Sequence, residues 1–115
     1  MALLTDPERL RHYRQALRSW ECTGYVVWSS QAAEWVRANL EGLTTKGVAR
    51  LMWEYVEAGG EIDEVRETRP EWSEHEYHYD LRFEIDDRRV YIETRLLMEA
   101  DPEDSTIHVV NAHDA

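Results

Sequence analysis

The sequence predicts an α+β fold, with three N-terminal helices followed by an antiparallel sheet of three to four strands, in a single domain spanning residues 1–115. Three observations lead there. Apolar side chains recur at helical spacing up to Gly59-Gly60, and beyond it the period drops to two. A chain of 115 residues is also too short for two independent cores. Hydrophobic residues at 43% and charged residues at 32% are globular values, and five Trp with six Tyr can fill a core of modest size.

The first helix is expected from about residue 7 to 21. Asp6 is its N-cap, Pro7 its first residue, and Leu10, Tyr13, Leu17 and Trp20 form its apolar stripe. After "CTGYVVWSS", in which Gly24 is a breaker, Ser30 caps a second helix through Asn39 that buries Trp35, Val36 and Leu40. Thr45 opens a third, with Val48, Leu51, Met52 and Tyr55 on one face and Gly59-Gly60 as its stop. "EIDEVRET" reads as a first strand, and Pro70 blocks its continuation. "YHYDLRFEIDDRRVYIETRLL" alternates apolar and charged residues as a hairpin. A turn centred on Asp87-Arg88 sets Ile85 against Val90, Phe83 against Ile92, and Leu81 against Thr94. "TIHVVNA" supplies the last strand, whose open edge leaves room for a homodimer by strand addition.

Charge narrows the function classes. Twenty-four acidic residues against 13 Lys plus Arg give a net charge of −11, which disfavours a nucleic-acid grip and an anionic membrane surface alike. A basic partner protein or a metal ion fits that balance. The one cysteine, Cys22, excludes an internal disulfide and is expected to be a small buried hydrophobe. No apolar run is long enough to span a bilayer, and "MALLTDPERLRHYRQ" is charged too early for a signal peptide, so the expected location is cytoplasmic.

The hairpin register above places Arg82 opposite Glu93 and Asp80 opposite Arg95 on the charged face, with His78 before them and His108 beside Arg95. Two cross-strand ion pairs on a solvated sheet face explain these residues without a ligand. Trp72, in the polar loop after Pro70, is expected to be exposed and is, with Tyr91, a candidate contact residue. In "EWSEHEYHYD", His78 and Asp80 share a strand face and could both reach a metal, whereas His75 needs the loop to bend. Ala38, Gly42, Leu43, Val48 and Leu51 fall at helix-turn-helix spacings. Glu54 and Glu57 would then face a phosphate backbone, so a plain helix pair is the better reading.

Asp80 with Glu93-Thr94-Arg95 resembles the paired-carboxylate arrangement of metal-dependent nucleases of the restriction-endonuclease fold. That resemblance implies a divalent cation held by Asp80 and Glu93, with Arg95 standing where the family has Lys. Residues 30–115 are also similar in element order to the RelE/BrnT superfamily of bacterial ribonuclease toxins, ending in the apolar strand of "IHVVNAHDA". That likeness implies metal-free RNA cleavage by a set such as His78, Arg82, Tyr91, Arg95 and His108. The sequence thus leaves two functions open. The first is a small acidic cytoplasmic interaction or regulatory protein that binds another protein and needs no cofactor. The second is a toxin-like or metal-dependent nuclease with His78, Asp80, Arg82, Glu93, Arg95 and His108 as catalytic residues.

Overall fold

The computed structural model describes residues 2–115. Its elements run in the order β1 (Ala2–Leu3), α1 (Pro7–Arg18), β2 (Val26–Trp28), α2 (Ser30–Asn39), α3 (Thr45–Glu57), β3 (Asp63–Arg66), β4 (Tyr77–Ile85), β5 (Arg88–Leu97) and β6 (Thr106–Asp114). These strands make one six-stranded sheet of order β1-β3-β4-β5-β6-β2, antiparallel throughout except where β2 runs parallel to β6.

The expected arrangement of helices first and three to four strands afterwards is therefore overturned. The architecture is mixed α/β, with strands from the N-terminal half flanking the sheet on both sides. The reason is local. Ala2–Leu3 and Val26–Trp28 are too short to show a period of two, and each is a strand only because a distant partner supplies its hydrogen bonds. Leu3 pairs with Asp63, and Val27 with His108. The last strand is consequently not the outermost one, since β2 covers it at residues 107–109.

The helices form where the sequence places them, with different ends. Asp6 caps α1 through the Arg9 amide, but that helix stops at Arg18 rather than residue 21. The caps of α2 and α3 are Ser29 and Thr44, each one residue earlier than expected, accepting from the Ala32 and Gly47 amides. α3 closes in a Schellman motif: Gly59, at φ 92°, donates to Val56, and Gly60 donates to Tyr55. The Gly60 position also excludes a side chain, since a Cβ there would lie 2.4 Å from the Tyr55 ring.

All three helices contribute to a core on one sheet face. Tyr13, Leu17, Val36, Val48 and Met52 pack with Leu81, Phe83, Ile92, Ile107 and Val109. The Tyr13 hydroxyl meets Thr94 Oγ1 at 2.9 Å, and Thr94 donates to the Tyr79 carbonyl, so these two buried hydroxyls are paired. His12, also buried, is met by the Ser105 hydroxyl at 2.7 Å. Cys22, expected inside, is exposed, in the loop that joins α1 to β2.

The hairpin turn is where the sequence reading slips. Ile85 pairs with Arg88, so the turn consists of Asp86 and Asp87, both left-handed at φ 51° and 64°. This is the two-residue loop whose twist matches the flanking strands, and Asp is among the residues that tolerate it. The register moves by two residues, which keeps every side chain on its expected face but changes its cross-strand neighbour. Asp87→Gly is expected to raise stability by about 0.5–1 kcal/mol. It removes a left-handed penalty of about 1–2 kcal/mol and loses part of that gain to the unfolded chain's freedom. The urea midpoint would move up at constant slope; an unchanged or lower midpoint would count against this account.

Candidate functional site

The sheet face away from the helices carries charge in rows. With the true register, Asp63, Asp80, Glu93 and Asn111 are successive neighbours across β3, β4, β5 and β6. Arg82, Tyr91 and His113 form the row on one side of them, and Arg95 with His108 flank the other. The expected pairs, Arg82 with Glu93 and Asp80 with Arg95, are thus replaced by Arg82 opposite Tyr91 and Asp80 opposite Glu93.

Three carboxylates side by side repel one another, and like charges directly opposite destabilise a sheet. Each is answered from elsewhere. Arg82 pairs with Asp63 and lies over the Tyr91 ring at 4.8 Å. His78 Nδ1 meets Asp80 Oδ1 at 2.7 Å. Arg95 Nη1 lies 2.8 Å from Glu93 Oε2, and Arg69 pairs with the same carboxylate.

The segment between β3 and β4 roofs part of this face. Glu67 sends its carboxylate inward, 2.5 Å from Arg95 Nη2 and 3.0 Å from Arg69 Nε. Pro70–Trp72 form a 3-10 turn that sets the Trp72 ring over the Arg95 guanidinium at 4.8 Å. Trp72, expected to be exposed, is instead half-buried, and Arg95 is 0% exposed. The face read as the wet side of a sheet therefore contains a buried ion network of Glu67, Glu93 and Arg95, which the half-exposed Arg69 joins from the solvent side. Arginine suits that position, since its planar fork serves two carboxylates at once and stacks under an indole.

Burial and neighbours set the protonation states. Burial disfavours charge on Glu67, but the Arg69 and Arg95 contacts overcome it and hold its carboxyl down at about 2. Glu93 follows the same pattern, with burial outweighed by Arg69 and Arg95, and lies below the usual carboxylate range. Asp80 differs: burial pushes its carboxyl up, and the His78 contact offsets only part of that. Burial, then the charges of Asp80 and Glu93, push the Tyr91 hydroxyl far up, so it is a neutral donor, 3.4 Å from Glu93 Oε1. Burial and the neighbouring His75 lower His108.

Every residue singled out on the sequence for binding or catalysis lies on this face or over it. His78, Asp80 and Glu93 come together, and Arg95 joins Glu93 beneath Trp72. Arg82 and Tyr91 line a shallow depression of about 280 Å³ shared with Glu93, Asn111 and His113. His108 lies beside Arg95 in the next strand. Sequence reading missed Glu67, Arg69 and Asp63. A carboxylate and a guanidinium either side of Thr68 in a loop carry no periodic signal, though Pro70 and Trp72 directly after them mark a rigid, apolar turn.

Among the described residues, Glu67, His78 and Glu93 also present ligand atoms within 4.8 Å of one another. No helix there is long and apolar enough to cross a membrane. No family model, curated protein or solved structure matches this chain.

Proposed function

We propose that this protein is a small cytoplasmic regulatory or adaptor protein that binds a partner protein with a basic surface through its acidic exterior. The supporting observation is where the charge lies. Eighteen acidic residues are exposed against eight cations, whereas buried and half-buried positions hold six acidic residues and five arginines. The interior is thus nearly balanced, and all but one charge of the surplus faces outward, where it steers association with positive surfaces. Glu99, Asp101, Glu103 and Asp104, all exposed around the 3-10 turn Pro102–Asp104, are its densest run.

Titration calorimetry with a short Lys- and Arg-rich peptide tests this reading. Saturable binding that weakens with salt is expected. Neutralising Glu99, Glu103 and Asp104 to their amides should cost roughly 3- to 100-fold, the sum of three exposed pairs at about 0.2–1 kcal/mol each. A peptide that fails to bind at low salt, or binds equally well after neutralisation, would overturn it.

A second reading, a metal-dependent nuclease, has one observation in its favour. Asp80 lies directly opposite Glu93, with Arg95 two residues further on the same face. It requires RNA or DNA cleavage that depends on divalent metal and disappears in Glu93→Gln. A folded wild-type protein without turnover in Mg²⁺ or Mn²⁺ would dismiss it.

A further inference from the structure

We infer that Glu67, His78 and Glu93 form a binding site for a divalent transition metal of the zinc class, at which the Arg69 guanidinium occupies the cation's place when no metal is bound. The three side chains come from three separate parts of the chain, the roof segment, β4 and β5. Their ligand atoms lie within 4.8 Å of one another. Zinc takes imidazole nitrogen and carboxylate oxygen at about 2.0–2.2 Å, so small side-chain rotations bring all three donors onto one ion. One nitrogen and two oxygens suit Zn²⁺ better than Mg²⁺ or Ca²⁺, which favour oxygen alone.

Two further features point to a ligand rather than to a chance cluster. His78 already gives Nδ1 to Asp80 at 2.7 Å, and Asp80 is only 3% exposed. A carboxylate on one ring nitrogen orients the imidazole and leaves Nε2 for a metal, the usual arrangement around ligating histidines. Arg95, meanwhile, is fully buried, with Nη2 against Glu67 and Nη1 against Glu93, yet its Nε has no hydrogen-bond partner. Three protein ligands leave a fourth position for water. A water there would give that buried guanidinium an acceptor.

Charge explains the part played by Arg69. Glu67, Asp80 and Glu93 carry three negative charges, and Arg69 with Arg95 supply two positive ones. Arg95 is fixed beneath Trp72, whereas the Arg69 side chain is 40% exposed and can leave toward solvent. An incoming divalent ion takes over its contacts with Glu67 and Glu93. Arg69 is therefore a competitor, and the prediction for its removal is opposite in sign to that for a purely structural ion pair.

Zn²⁺ titration of the whole protein, followed by calorimetry and by the histidine ring nitrogens in NMR, tests the site. One equivalent is expected to bind, moving the ring resonances of His78 and leaving those of His113 in place. Arg69→Ala should bind Zn²⁺ more tightly than wild type, Asp80→Asn about 10–100-fold more weakly, and His78→Gln not measurably. The wild-type NMR readout stands even if a variant folds poorly. No saturable binding, Zn²⁺ shifts that bypass His78, or an Arg69→Ala variant that binds no more tightly would each overturn the proposal.

Discussion

Arg95→Ala is expected to destabilise the protein by about 3–5 kcal/mol, read as a lower urea midpoint with little change in slope. The magnitude follows from what is left behind. Arg95 is fully buried between Glu67 and Glu93, and its removal strands two carboxylates under Trp72 with only the half-exposed Arg69 to answer them. The loss measures an uncompensated buried charge and not the worth of the pair. Replacing the whole group, Arg95→Met with Glu67→Leu and Glu93→Leu, should therefore recover most of the stability, because apolar packing commonly matches a buried ion network. A single-variant loss below about 1 kcal/mol is the range of a solvated pair and would sink the argument from burial.

That experiment also separates what the sequence made legible from what it hid. Alternation along residues 77–97 was enough to assign a face to every side chain, and a two-residue slip in register preserves that assignment. It was not enough to assign partners, because these depend on the turn, and "DD" at positive φ gives a weaker signal than Asn-Gly or Asp-Gly. Nor does alternation say which face is covered. Trp72 and Glu67 reach Arg95 from a loop more than twenty residues earlier in the chain, so the burial of Glu93 and Arg95 is a tertiary fact. The flanking strands were hidden for a related reason. Ala2–Leu3 pairs with residues some sixty positions away, and Val26–Trp28 with residues some eighty away. The helices were legible because caps and apolar spacing are local, and the errors there amount to one residue at two N-caps and three residues at the end of α1.

Acid should unfold the roof and the protein with it, over a window set by Glu67. Its carboxyl lies at about 2 in the folded chain against an ordinary 4.5, because Arg69 and Arg95 outweigh the cost of burying it. A depressed folded-state value contributes stability that is fully present above pH 4.5 and lost as the pH falls toward 2. Glu93, depressed by the same two arginines, adds in the same sense. Asp80 opposes them. Burial raises its carboxyl, so its contribution is present at low pH and lost as the pH rises, which blunts the acid transition without reversing it. Glu67→Gln is accordingly expected to cost about 2 kcal/mol at neutral pH, the scale of a hydrogen bond to a charged group, and almost nothing near pH 2. Urea midpoints of wild type and variant measured across that range should converge on acidification. A gap that stays constant with pH would mean that Glu67 contributes by shape and not by charge, and that Arg95 is held in place by Glu93 and Trp72 alone.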